Sequence, residues 1–257
     1  MTRVLLIGTG RMAYQLGHAL VKSGIDLVGV AGRDAEARER LARFLDRKAI
    51  DLSRPLPKAD LVLVAVSDDA IATVAGQLLE TGAVVAHTAG AMGLDVLAPH
   101  EHRGVLWPIQ SLSHGAPMDL HDVPMVVDAN DEQARTLLRS VAHQLSEVVL
   151  ELPLEKRQRV HLAAVLTSNL PVWLAREAQR LLREEKLPPS LLTPLWRATA
   201  ASVSTFGPEQ ALTGPARRGD TETIRHHLDL LASDPDLRQV YALLSDQIMR
   251  AFTHEER

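Results

Sequence analysis

The 257-residue chain contains no cysteine. Disulfide staples, thiolate nucleophiles and thiolate metal sites are excluded together. It also lacks a surplus of positive charge. Lys and Arg number 28 against 32 Asp and Glu, a formal net charge of −4, whereas a nucleic-acid footprint needs a basic excess. No stretch approaches the ~18 consecutive apolar residues that span a bilayer. The apolar run behind Arg3, Val4–Ile7, is too short for a signal peptide and leads straight into a glycine turn. The histidines form no H-x-x-x-H pair on an expected helix, and His226 and His227 are adjacent and point apart, so no metal site is expected. Neither internal repeats nor low-complexity segments occur. What remains is ordinary globular composition, 46% hydrophobic and 23% charged, in a chain long enough for one large domain or two modest ones. A cytoplasmic enzyme is the default reading.

The most informative stretch comes first. Val4-Leu5-Leu6-Ile7 has the length of a strand, Gly8-Thr9-Gly10-Arg11-Met12-Ala13 fits G-x-G-x-x-A, and Met12, Leu16, Ala19 and Leu20 follow with helical period. In a dinucleotide-binding turn the first glycine permits the tight bend and the second lets backbone approach a pyrophosphate. The last small residue lets helix and strand pack closely, and the phosphates meet free N–H groups at the helix start. Gly8, Thr9, Gly10, Arg11 and Met12 are therefore expected to hold a cofactor. A second strand, Asp26–Ala31, ends in Gly32-Arg33-Asp34. An acid about 20 residues past the glycines reads a ribose hydroxyl, and an Arg there suits a 2′-phosphate. Arg33 points to NADP. Asp34 is either the ribose reader one place late or the N-cap of a helix over 35–45.

Further along, Asp60–Val66 is a continuous apolar run, the mark of a strand buried on both faces. Ser67-Asp68-Asp69 offers N-cap chemistry to the helix after it, and Ala83–His87 is the next strand, closing on Thr88. Alternating strands and helices predict a doubly wound, mostly parallel α/β sheet of the Rossmann kind. Ligands then lie outside the carboxyl ends of the strands, where Ser67, Asp68, His87, Thr88 and Gly90 fall; capping also accounts for the first two, and plain loop chemistry for His87 and Thr88. Shorter strands are expected at 105–109, 124–127 and 148–152, with a helix over 131–144 between the last two. Beyond Pro153 the period becomes helical and stays so, predicting an all-helical domain over 154–257 behind a dinucleotide-binding domain over 1–153. Its helices are expected at 154–186 with an interruption at Pro171, then 190–206, 221–232 and 235–253. The Gly- and Pro-rich loop 207–220, with paired arginines, is the expected functional loop of that half.

Four stretches carry a resemblance: Gly8-Thr9-Gly10; Val66-Ser67-Asp68-Asp69-Ala70-Ile71; His161-Leu162-Ala163-Ala164 with Ser168-Asn169; and above all Leu212-Thr213-Gly214-Pro215-Ala216-Arg217-Arg218-Gly219-Asp220. Over nearly its whole length the chain resembles a family of two-domain Rossmann-like proteins whose C-terminal part is a domain of unknown function, number 2520. That family is similar in layout to pyrroline-5-carboxylate reductases, beta-hydroxyacid dehydrogenases and deazaflavin-linked NADP reductases. The resemblance implies NADP-type binding and a homodimer formed through the helical domain. Two departures limit what carries over. Relatives often have a His-Pro pair where this chain has Trp107-Pro108. The place of the catalytic Lys of beta-hydroxyacid dehydrogenases, four residues before Asn169, holds Val165, which cannot donate a proton.

Hydride transfer to a carbonyl or imine needs an oriented nicotinamide, an acid and a substrate clamp. His161, eight residues before Asn169, would share a helix face with it and serve as the acid. Asn169 would orient the substrate or the His. Both are equally read as structural: His161 partly buried with a backbone partner, Ser168 and Asn169 covering a Pro171 kink. Arg218, matching the family loop, is read as a bidentate clamp for a substrate carboxylate or a cofactor phosphate, or else as the ion partner of Asp220 or of a partner subunit. Asp220 itself is the expected N-cap of the helix at 221. These residues predict an NADP-dependent oxidoreductase acting on a small anionic carbonyl or imine compound, with a non-catalytic NADP-binding sensor or scaffold as the alternative.

Overall fold

The computed structural model describes residues 1–79, 82–112 and 115–252. Eight strands form one sheet: β1 (Arg3–Ile7), β2 (Asp26–Ala31), β3 (Ala49–Ile50), β4 (Leu61–Val64), β5 (Val84–His87), β6 (Arg103–Pro108), β7 (Met125–Ala129) and β8 (Val149–Glu151). Their order is β3-β2-β1-β4-β5-β6-β7-β8, and every neighbouring pair is parallel except β6 and β7. The helices are α1 (Arg11–Lys22), α2 (Ala35–Phe44), α3 (Ile71–Gln77), α4 (Glu132–Leu145), α5 (Leu154–Thr167), α6 (Asn169–Glu184), α7 (Thr193–Phe206), the single turn α8 (Pro208–Ala211), α9 (Thr221–Leu230) and α10 (Pro235–Phe252). Thr253, the last residue of the final expected helix, lies outside the described residues.

Side-chain alternation along the strands sorts the core into two layers. Val4 and Leu6 of β1, Leu61 and Leu63 of β4, and Val84 and Ala86 of β5 pack under α1, α2 and α4. Leu5, Ile7, Val62, Val64 and Val85 face the other way, against Ile71 and Ala75 of α3. This two-sided burial is why the central strands read as unbroken apolar runs. On that second face Val105 and Trp107 of β6, with Val126 of β7, meet Val160 of α5.

The chain divides into two compact units, Met1–Asn169 and Leu170–Arg257. The helical period does begin at Leu154, but α5 belongs to the first unit because it is built into the sheet's second face. Its Arg157 is fully buried and bonded to the loop after β5. The expected long helix over 154–186 is two helices. At the break Ser168 turns its hydroxyl back onto the Ala164 carbonyl, 2.9 Å away, and Pro171 has no N–H to continue the ladder. Pro171 falls in the first turn of α6, where a missing N–H costs least.

The second unit has little core of its own. Among its described residues the buried apolar side chains are Ala216, Ile224 and Leu231, and α7 buries none. Glu177, Arg180 and Asp234 tie α6 to the segment before α10. Among the described residues no helix is long and apolar enough to cross a membrane.

Candidate active site

The strand order reverses its direction of growth between β1 and β4, which makes their carboxyl ends the switch point of the sheet. Gly8 sits there at φ +134°, and a Cβ on it would lie 2.1 Å from the carbonyl oxygen of Ala65, so no side chain fits. Its N–H donates to the Ala31 carbonyl at 2.8 Å, tying the turn to β2. Gly10 is different. Nothing lies within 4 Å of where its Cβ would be. It N-caps α1 without a side-chain hydrogen bond, and the first turn of α1 contains no acid. The opening amides of α1 thus face open space at the positive end of the helix, a cradle for an anion. Ala13 is fully buried behind it, as close packing of strand and helix requires. Thr9 lies against Gly32, where an added Cβ would meet its Cγ2 at 2.7 Å. Arg11 is exposed and Met12 half-buried against the core.

Past Gly32 the side chain of Arg33 is exposed and makes no hydrogen bond or ion pair among the described residues. Asp34 is the N-cap of α2, its carboxylate accepting the Ala37 N–H at 2.9 Å. Of the two roles open to it in the sequence, the cap is the one it fills. Arg38, one turn into α2, donates from Nη1 to the Gly32 carbonyl at 2.8 Å, so a second guanidinium lies beside the same corner.

Ser67 and Asp68, after β4, are exposed at the rim of the sheet, and Ser67 makes no side-chain cap bond although it precedes a short 3-10 turn. Thr88 is buried. His87, read from the sequence as lining the cofactor site, is fully buried, and both its ring nitrogens are spent inside the next loop. Nδ1 accepts the Ala89 N–H at 3.1 Å, which leaves Nε2 to donate to the Gly93 carbonyl at 3.2 Å. Burial drives its pKa down to about 4, so the ring is neutral near pH 7 and serves as an internal brace for residues 88–93. The ring turns back into the loop after β5 and bonds to its backbone there, a course that strand periodicity does not announce.

The same loop meets α5. Gly90 is wedged between two rings: a Cβ there would lie 2.7 Å from Cδ2 of His161 and equally close to the indole of Trp107. The His161 and Trp107 rings are 5.7 Å apart, tilted by 50°. His161 is partly exposed and makes no hydrogen bond among the described residues, so it lacks the backbone partner of its structural reading. Four residues before it, on the same face of α5, Arg157 has no solvent exposure. Its Nη1 donates to the carbonyls of Gly90 (3.1 Å) and Met92 (2.6 Å), and Nη2 meets the Asp128 carboxylate at 3.1 Å. Arg157 was not singled out in the sequence. Nothing in the sequence separates it from the exposed Glu155, Lys156 and Arg159 beside it.

Asn169 stands past the end of α5, as the first residue of α6. It is exposed, and its side-chain amide lies 2.9 Å from the Ser168 hydroxyl oxygen. Arg218 belongs to the second unit, exposed in the loop before α9, and its side chain makes no ion pair with Asp220. The Asp220 carboxylate instead caps α9 through the Thr223 N–H (3.0 Å) and hydroxyl (2.7 Å), which hold it below the usual carboxylate range.

Comparison with known proteins bears on both halves. Residues 2–110 match the Rossmann-like domain and residues 123–248 match the domain of unknown function DUF2520. The crystal structure of BF3122 from Bacteroides fragilis, provisionally assigned as an NADP oxidoreductase, is 33% identical with a TM-score of 0.89, covering 97% of this chain and 98% of that one. Protein TM1727 from Thermotoga maritima is 24% identical with a TM-score of 0.75, covering 99% and 100%, a likeness of fold. Glutamyl-tRNA reductase from Rubrobacter xylanophilus is 25% identical over 231 residues, 85% of this chain, and the chain spans about half (51%) of that relative's length.

Proposed function

Because the chain belongs to the family that joins a Rossmann-like domain to the domain of unknown function DUF2520, we propose that it is an oxidoreductase moving hydride between NADP and a small anionic carbonyl or imine compound. The observation that carries this reading is the pairing of an uncapped, acid-free start of α1 beside Gly10 with an unpaired Arg33 at the end of β2. The first suits a pyrophosphate and the second a 2′-phosphate. Gly8 and Gly10 admit the linker, Thr9 and Met12 shape the turn, and Arg11 lies at its mouth. Ser67 and Asp68, exposed on the rim, fall where the nicotinamide end of a dinucleotide rests in doubly wound sheets. The resemblance to BF3122 of Bacteroides fragilis, provisionally assigned as an NADP oxidoreductase, supports the same cofactor and class of reaction.

Bound NADPH supplies the hydride in such a reaction, and this chain's residues supply the proton and the orientation. His161, with neither ring nitrogen hydrogen-bonded among the described residues, is the proton donor, held at Gly90 against Trp107. Asn169, exposed just past the end of α5, orients the substrate. The apolar faces of α6 and α7, with Val172, Leu174, Leu195 and Trp196 around one groove, are covered in a homodimer.

A non-catalytic NADP sensor is the second reading, favoured by Val165 and Trp107 standing where relatives hold groups that can move a proton. The two separate in one assay. NADPH is incubated with a panel of keto acids and cyclic imino acids, and loss of its absorbance is followed. The oxidoreductase turns over at least one member, and His161→Ala lowers that turnover at least about a hundredfold while NADPH affinity stays within twofold. Tight NADPH binding with no turnover across the panel favours the sensor, and full activity of His161→Ala removes the proton-donor role.

A further inference from the structure

In the loop between β5 and the turn at Leu94, side chains take the carbonyls of residues 89 to 93 in turn. Arg157 Nη1 takes those of Ala89 (3.3 Å), Gly90 (3.1 Å) and Met92 (2.6 Å), Gln158 Nε2 takes that of Ala91 (3.1 Å), and His87 Nε2 takes that of Gly93 (3.2 Å). In a trans peptide the N–H points opposite to the C=O of the same unit. Drawing carbonyls 89–92 toward α5 therefore aims the N–H groups of Gly90, Ala91, Met92 and Gly93 away from it. None of these four amides donates to an acceptor among the described residues, whereas that of Ala89 does, to His87. Ala91, Met92 and Gly93 are partly exposed. Unpaired amides in sequence form a concavity that attracts anions. A second observation lies directly behind it: the buried guanidinium of Arg157, whose Nε has no acceptor. Its only carboxylate partner among the described residues is Asp128.

We propose that the amides of Gly90–Gly93 form a carboxylate-binding subsite, held open by Arg157, Gln158 and His87. It takes the acid group of the substrate on the face of the loop turned from α5. That this carboxylate belongs to a hydride acceptor rests on the function proposed above. The amides, the inward carbonyls and the buried cation do not. Arg157 is a positioning residue: it meets the carbonyls from behind, and the ligand meets the N–H groups.

The test is a ¹⁵N amide spectrum of the full chain titrated with sodium pyruvate, with sodium chloride at equal ionic strength as control. The resonances of Gly90–Gly93 are expected to shift saturably with pyruvate and not with chloride. Arg157→Lys keeps the charge but lacks the planar fork, and is expected to weaken pyruvate binding about tenfold while NADPH affinity stays within about twofold. If Arg157→Lys does not fold, Gln158→Met decides: it frees the Ala91 carbonyl from an exposed position and is expected to weaken pyruvate about threefold. Amides 90–93 that ignore pyruvate, that move equally with chloride, or that bind it unchanged in both variants overturn the proposal. NADPH added to the same sample reads the cofactor assignment separately at Gly8–Gly10, so failure there leaves the signals of the carboxylate subsite standing.

Discussion

Gly8 and Gly10 stand two positions apart and need glycine for opposite reasons. A side chain at the first would collide with the Ala65 carbonyl, whereas one at the second would enter open space that a ligand needs. Both reasons were legible in the sequence, because the motif's spacing encodes them. The role of His87 was not, since strand termini look alike in one dimension whether the last residue points to solvent or core. Its burial has a thermodynamic consequence. The folded ring has a pKa of about 4 and the unfolded one about 6.5, so between those values the unfolded chain takes up a proton that the folded chain refuses. Stability is full above pH 6.5 and is lost as the pH falls toward 4. Between pH 7 and pH 5 the loss is about 2 kcal/mol from this residue, a window above that of the lowered carboxylates. Urea unfolding at the two pH values measures it. His87→Gln, which can still donate to Gly93 and accept from Ala89, is expected to reduce that loss to near zero, and an unchanged pH dependence assigns it elsewhere.

At the scale of elements, the strands of the parallel sheet were readable as apolar runs because they are buried on both faces. The two-residue β3 was not, being too short to carry a period. The long helix over 154–186 was misjudged at one point only. Pro171 was taken as the interruption, yet the break lies at Ser168, where a hydroxyl competes for the Ala164 carbonyl, and Pro171 starts the next helix. Pro171→Ala is accordingly expected to change stability by less than about 1 kcal/mol, since a first-turn N–H has no intrahelical acceptor to gain. A thermal midpoint settles this, and a large gain would mean that the proline strains a continuous helix. The docking of α5 on the sheet rests on Arg157, and no periodicity could announce it. A buried charge leaves the same trace in a sequence as a solvated one.

For the whole molecule, the change from alternating strands and helices to helices alone was plain at Pro153, whereas the compact units part at Asn169. The difference is α5, whose sequence is helical and whose contacts belong to the sheet. The second unit exposes Leu195, Trp196, Val203 and Phe206 on α7, a helix with nothing buried. A surface of that kind is covered by a partner or aggregates. Sedimentation is expected to give a particle of two chains, and Trp196→Glu to shift it toward one chain; a wild-type monomer at micromolar concentration removes the homodimer. The account as a whole stands on the anion cradle at Gly8–Gly10 and the free guanidinium of Arg33. Calorimetric titration of the wild type and of Arg33→Ala with NADPH and NADH tests both at once. The expected result is NADPH binding at least about tenfold more tightly than NADH to the wild type, with the two equal in the variant. Equal affinities in the wild type, or no binding of either, would contradict it.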